Sequence, residues 1–225
     1  MNATQLQPLN DELQTRQRLL EAAGEVFAEQ GYKNATVREI CRRADANIAA
    51  VNYHFGDKAR LYSQVLRHVL GEAMAKYPPN LGVTDGSTPE QKLFAYVRSY
   101  LFRILDEGRH ALLGKLISRE MIEPTHALDE CINETIRPMA QLLGGIVREI
   151  VGGELSQEDV FRCARSVVGQ IVFYHHCRPA LKKIFPDFRS GTEEIEALAR
   201  HITEFSLSGI RAIAAARHCK GEEAV

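Results

Sequence analysis

The sequence predicts an all-α protein made of an N-terminal three-helix domain containing a helix-turn-helix and a C-terminal helical domain. Three observations carry this. Apolar residues recur at i, i+3, i+4 and i+7 through most of the chain, the period of one helix face. Between Ala35 and Lys58, two short helical patterns are separated only by Asp45-Ala46-Asn47. No segment shows the alternation of a convincing strand.

The elements follow in order. Residues 1 to about 10 are polar and are expected to fray. A first helix runs from Asp11 to Gln30 on the stripe Leu19, Leu20, Ala23, Val26 and Phe27, and Gly31 stops it. Thr36 caps the second, with Glu39 placed to complete a capping box, and Val37, Ile40, Cys41 and Ala44 form its apolar face. Asp45 and Asn47 suit the tight turn, because short polar side chains tolerate the left-handed conformation. Asn47 caps a third helix of about two turns, ending at Phe55. Asp57 caps a fourth, with Leu61, Val65 and Val69 inward, and Pro78-Pro79 ends it. A helix of the third one's width fits the major groove of DNA, where bases can be told apart.

The loop NLGVTDGS marks a boundary, giving domains at 11–78 and 79–225. Thr88-Pro89 opens the next helix, with Gln91 as capping-box partner, and Gly108 breaks it. A further helix carries Leu112 to Met121 and stops before Pro124. A long periodic segment from Leu128 to Ile150 holds Pro138, where a kink or break is expected. Ser156 opens a helix that Arg178-Pro179 closes, and Thr192 caps the last helix.

Composition sets limits. The chain has 225 residues, is 45% apolar and carries a net charge of −1, so bulk charge attracts no polyanion and any DNA binding rests on a local patch. Arg38, Arg42, Arg43, Lys58 and Arg60 supply such a patch against Glu39, Asp45 and Asp57. The five cysteines form no CxxC pair, and the odd number fits a reducing compartment. With no signal-peptide pattern and no apolar run of membrane-spanning length, a cytoplasmic protein without membrane association is expected.

The run from Thr36 to Tyr62 closely resembles the DNA-binding domain of TetR/AcrR-family transcriptional regulators. Phe27 and Gly31, Thr36-Val37, Arg38-Glu39-Ile40, Ala44, the NYHF run, Lys58 and Leu61-Tyr62 carry the match. Two departures stand out. Asp45 occupies the usual turn glycine, and Asn52 a position often held by Tyr. The stretch from Ser118 through REMIEPTHALDECINETIRPM, then SVVGQIVFYHHCRPAL, resembles the C-terminal domain of CecR-type members of that family. Arg119-Glu120-Met121, Pro124-Thr125, Pro138 and Gly169-Gln170 carry this second match. The resemblance implies a homodimer on operator DNA, released by a small-molecule effector bound in the C-terminal ligand-binding and dimerisation domain.

On that reading Thr36, Arg38, Asn47, Ile48, Ala50, Asn52, Tyr53, His54 and Lys58 form the DNA-contact set. Arg and Asn pair with purine edges, and Ile48 or Ala50 meets a thymine methyl. Thr36, Tyr53, His54 and Lys58 suit phosphates. The competing account is a solvated helix face on an all-helical protein-interaction module that never meets DNA. For the effector, Phe94, Leu101, Leu105, Leu116, Glu120, Met121, Gln170 and Tyr174 are the candidate lining. A carboxylate among apolar walls suits an apolar ligand bearing a cation or donor. An internal hydrogen bond of Glu120 is the plainer alternative.

Dimer contacts are expected from the helix around Val167 to Phe173, with Gly169 allowing close approach, and from Phe205, Ile210 and Ile213. Tyr174-His175-His176-Cys177 suggests no metal site, since adjacent helical histidines point about 100° apart. No nucleophile motif, phosphate loop or paired acids point to an enzyme, and no cofactor is implied.

Overall fold

The protein is described from a computed structural model covering residues 3–106, 111–153, 155–185, 187 and 191–222. Among these residues it forms eleven α-helices and one π-helical turn, with no strand. The helices are α1 (Ala3–Asn34), α2 (Val37–Ala44), α3 (Ile48–Phe55), α4 (Lys58–Lys76), α5 (Pro89–Leu105), α6 (Ala111–Ile122), α7 (His126–Cys131), α8 (Arg137–Val151), α9 (Gln157–His176), α10 (Arg178–Ile184) and α11 (Thr192–Glu222).

The chain divides into two compact units. One comprises residues 1–72 and 112–132, the other 73–111 and 133–225. They do not follow a single cut near residue 78: α6 and α7 fall in the first unit, although their sequence places them beyond the loop. The reason lies in their side chains, which pack on α1 and α4.

In the first unit, Leu19, Ala23, Val26 and Phe27 of α1, Ile40 of α2, Val51 of α3 and Leu61 and Val65 of α4 are fully buried. Helix α1 starts at Ala3 rather than Asp11 and is interrupted at Gly31, whose φ of 76° is left-handed. Only glycine adopts that angle without steric cost. The interruption frees carbonyls at the end of the helix. Arg119 of α6 takes them: its Nε donates to the Ala28 carbonyl at 3.1 Å and its Nη2 to that of Glu29 at 2.8 Å. A Cβ on residue 31 would stand 2.9 Å from Arg119 Nη1, so the glycine also makes room for the guanidinium.

In the second unit, Leu93, Val97 and Leu101 of α5 pack with Leu143 and Val147 of α8, Val167 and Ile171 of α9, and Ile202 of α11. The Thr88–Gln91 capping box is complete at the start of α5. Helix α5 ends at Leu105; Gly108 lies outside the described residues. The segment from Leu128 to Ile150 is interrupted as expected, but ahead of the proline: Ile132–Ile136 forms a π turn and Pro138 stands in the first turn of α8. Pro138 has no amide to donate and its ring crowds the carbonyl four residues back; a widened turn accommodates both. Helix α10, with Pro179 in its first turn, is not expected from the sequence. Thr192 is the first residue of α11 rather than its cap. No helix among the described residues is long and apolar enough to cross a membrane.

Candidate nucleic-acid interface

Caps hold the α2–α3 pair in place. Thr36 Oγ1 accepts from the Glu39 amide at 3.2 Å. The expected capping box is only half made, because the Glu39 carboxylate turns to arginines instead. It accepts from Arg42 at 2.9 and 2.8 Å and from Arg43 at 2.9 Å, and these bonds hold its carboxyl down at about 2. Arg43 also donates to Glu29 at 3.0 and 2.7 Å. Two of the cations counted for phosphate are therefore already paired within the protein. Glu29, on α1, has no sequence proximity to reveal that pairing.

Asp45 closes α2 at φ 48° and ψ 55°, the only non-glycine with positive φ among the described residues. It does the work of the glycine usual in the resembled family, since aspartate tolerates this region better than most side chains. Asn47 then caps α3, its side chain accepting from the Ala49 amide at 3.0 Å. Asp57 Oδ1 accepts from the Arg60 amide at 2.8 Å and caps α4.

Helix α3 has two faces. Val51 and Phe55, one turn apart, are buried. Ile48, Ala49, Asn52 and Tyr53 are exposed; Tyr53 is 72% accessible and Ile48 50%. A half-exposed isoleucine and a largely bare tyrosine on one face leave apolar area available to a partner. Ala50 and His54 lie half-buried at the margins, and Ala49 takes a place on the outer face that the sequence reading did not give it. The helix is eight residues long, and an α-helix with its side chains is about 10–12 Å across, close to the width of the major groove. Thr36, Arg38 and Asn47 are exposed. Arg38 has no side-chain partner among the described residues, so its guanidinium is available. The Tyr53 hydroxyl donates a long 3.4 Å bond to Glu12, and its ring packs edge-on against His54. Lys58, half-buried, donates to the Lys33 carbonyl at 3.4 Å and lies 4.7 Å above the Tyr32 ring; burial lowers its pKa.

The candidate effector residues do not come together within one unit. Leu116, Glu120 and Met121 belong to the first, and Phe94, Leu101, Leu105, Gln170 and Tyr174 to the second. Glu120, 1% exposed, is satisfied internally: it accepts from the Tyr62 hydroxyl at 2.7 Å and from the Thr125 amide at 3.1 Å and hydroxyl at 3.2 and 3.1 Å. The internal hydrogen bond left open by the sequence is the arrangement present. Glu120 and Tyr62 border a cleft of about 160 Å³ with Tyr32, Lys33 and Pro124. Met121 is half exposed. Leu101 and Leu105 are core, with Phe94 and Tyr174 packed against it, and Gln170 donates to Ser206 at 3.1 Å. Among the described residues no group of three or more His, Cys, Asp or Glu is placed to hold a metal ion.

Comparison with known proteins matches this arrangement. Residues 19–65 match the model of bacterial regulatory proteins of the tetR family. Residues 89–210, more than half of the chain, match the C-terminal domain of the HTH-type transcriptional dual regulator CecR. The chain is 28% identical over 170 residues to the CecR regulator of Shigella flexneri, covering 72% of this chain and 75% of that one. Among solved structures, FadR from Bacillus subtilis in complex with stearoyl-CoA shares the fold at a TM-score of 0.64 and 19% identity, over 86% of this chain and 98% of the other. AibR in complex with isovaleryl coenzyme A and operator DNA gives a TM-score of 0.65 at 16% identity, over 85% and 97%. With a helix-turn-helix whose outer face is bare and both family models matched in their proper order, the chain belongs to the TetR family of DNA-binding transcriptional regulators, which are not enzymes, and carries a CecR-type C-terminal domain.

Proposed function

We propose that the protein is a ligand-released repressor that binds an inverted-repeat operator as a homodimer. The observation that carries this reading is α3: anchored by Val51 and Phe55, it presents Ile48, Asn52 and Tyr53 to solvent beside the unpaired Arg38. In this proposal Arg38, Asn47, Ile48, Ala50 and Asn52 meet base edges, while Thr36, Tyr53, His54 and Lys58 meet phosphates. Residues 11–78 read DNA, and 79–225 bind the effector and dimerise, with 112–132 packed into the first unit.

Dimerisation is supported by bare apolar side chains on the last long helices. Phe173 on α9 and Phe205 and Ile213 on α11 are 49%, 65% and 42% exposed. Ile171 and Ile210, expected at the same surface, are instead buried in their own unit. Gly169 has open space where a side chain would stand, in keeping with close approach of a second copy. The ligand release follows from linkage: an effector that binds one dimer conformation better than the other lowers operator affinity by that difference. The solved relatives named above hold acyl-coenzyme A compounds, which supports an effector with an apolar tail.

Selection of bound fragments from random duplex DNA tests the reading. Enriched sites are expected to carry a dyad with half-sites about one helical turn apart or slightly more. Sites without any dyad, or a monomer by light scattering at the concentrations that bind DNA, would overturn it.

A further inference from the structure

Helix α5 carries a buried row of hydrogen-bond donors. Tyr96, Ser99, Tyr100 and Arg103 stand at i, i+3, i+4 and i+7, which is one face of a helix. Tyr96 and Ser99 are each 1% exposed and Arg103 is 5% exposed; Tyr100 is half-buried. Tyr96 belongs to the apolar core of the second unit, with Leu93, Val97, Leu101 and Phe102, and Tyr100 packs against that core.

Only one of the three guanidinium nitrogens is occupied. Nη1 of Arg103 donates to the Tyr77 carbonyl at 3.1 Å and to Ser99 Oγ at 3.1 Å, and lies 3.0 Å from Met74 Sδ. The Ser99 hydroxyl in turn donates to the Tyr77 carbonyl at 2.5 Å. The guanidinium carbon sits 5.3 Å from the centre of the Tyr100 ring. All these acceptors are neutral. No carboxylate reaches Arg103 among the described residues, and the hydroxyls of Tyr96 and Tyr100 have no hydrogen-bond partner there. Yet no side-chain nitrogen or oxygen among the described residues is both sealed from water and unpartnered. None of the free donors of this row is therefore fully sealed from solvent.

A buried cation without a counter-ion is expensive. Burial pushes the Arg103 guanidinium pKa down and those of the Tyr96 and Tyr100 phenols up. All three groups nonetheless keep their protons near neutral pH, so each offers N–H or O–H only. A strut to the Tyr77 carbonyl uses one nitrogen and leaves the two phenols on the same face unexplained. A guanidinium fork flanked by hydroxyls fits an oxyanion, accepting two parallel N–H bonds in a low-dielectric site.

We propose that Arg103, Tyr96 and Tyr100 form the anion-binding site of the effector unit, taking the carboxylate or phosphate group of an otherwise apolar ligand. The proposal rests on the ligand-released reading above and reverses the ligand charge expected from Glu120. The anion completes the hydrogen bonding of the row, and the apolar core beside it receives the tail.

The test is calorimetric titration of the full chain with decanoate, decyl phosphate and decanol, which share a tail and differ in the head. At least one oxyanion is expected to bind saturably and roughly tenfold or more tighter than decanol, the scale of a charge-assisted hydrogen bond. Decanoate and decyl phosphate compared with each other separate a carboxylate site from a phosphate site. Arg103→Met should remove the preference for the anion, Arg103→Lys should keep part of it, and Tyr96→Phe/Tyr100→Phe should weaken the anion several-fold while leaving decanol unchanged. The tyrosine pair preserves ring volume and decides the matter if Arg103→Met does not fold. Absence of binding by both oxyanions, equal binding of decanol, or variants that bind the anion like the wild type would overturn the site. Operator release, followed in parallel, separates the two readings. Anion binding through Arg103 without loss of DNA affinity keeps the site and removes ligand release; release by decanol in both wild type and Arg103→Met does the reverse.

Discussion

Tyr62 and Glu120, 58 positions apart in the chain, meet in a 2.7 Å hydrogen bond inside the first unit. The phenol is 1% exposed, packs edge-on to Phe27 at 4.7 Å and has its pKa raised, chiefly by burial and then by the carboxylate. Tyr62→Phe keeps the ring and withdraws the donor from a buried carboxylate. A loss of about 1.5–3 kcal/mol is expected, the scale of a hydrogen bond to a charged group. Urea unfolding measures it. Glu120→Gln should also lower the melting temperature while leaving the effector concentration needed for DNA release unchanged.

The arginines of α2 are expected to behave differently from one another. Arg38 is exposed and unpartnered, whereas Arg43 is engaged by Glu29 and Glu39. Arg38→Ala should weaken operator binding by about 1–3 kcal/mol and relax preference at one base per half-site. Lys58→Ala should weaken all sequences alike and flatten the salt dependence. Arg43→Ala should leave the salt slope of DNA binding unchanged, because its charge is already neutralised in the free protein. Fluorescence anisotropy on a selected operator across a salt series distinguishes these outcomes.

Glu39 gives a pH signature. Its arginine partners lower the folded carboxyl from an ordinary 4.5 to about 2. A depressed folded value means that its contribution to stability is present above 4.5 and is lost as pH falls towards about 2. The melting-temperature gap between wild type and Glu39→Gln should therefore be constant above that window and close within it. The group is exposed, so the gap will be small. A gap that widened on acidification would contradict the assigned pairing.

On α9 and α11, burial separates assembly from folding. Phe205→Glu and Phe173→Glu alter exposed positions and should yield folded monomers by light scattering. Ile171→Glu places a charge in the core and should cost on the order of 4 kcal/mol or more, unfolding the unit rather than splitting a dimer. Folded, dimeric Phe205→Glu would move the interface elsewhere.

Local chemistry was legible in the sequence where neighbours along the chain decide it. The Thr36, Asn47, Thr88 and Ser156 caps act as their positions suggest, and Asp45 takes the left-handed turn. The polar run Asn52-Tyr53-His54, unsuited to a core seam, leaves Asn52 and Tyr53 exposed and His54 half-buried. Glu39 failed locally, taken by Arg42 and Arg43 three and four residues on rather than turning back to its cap. Other failures depended on partners distant in sequence: Glu120 found Tyr62 across the fold. Ile171 and Ile210 looked too apolar for one chain, but their own unit buries them. The Tyr96–Arg103 row had a readable signal, polar residues at helical spacing within an apolar helix. Apolar periodicity alone passes over it.

The return of residues 112–132 to the first unit, through Arg119 on the Ala28 and Glu29 carbonyls and Glu120 on Tyr62, makes the helix-turn-helix unit discontinuous. A fragment cut at the loop before Thr88 would leave behind the residues that close its own helix end and occupy its buried phenol. Grafting this unit onto another protein thus requires transplanting two stretches of chain, with the intervening α5 segment threaded between them. Exchanging the second unit of this chain is a splice at three junctions, not one.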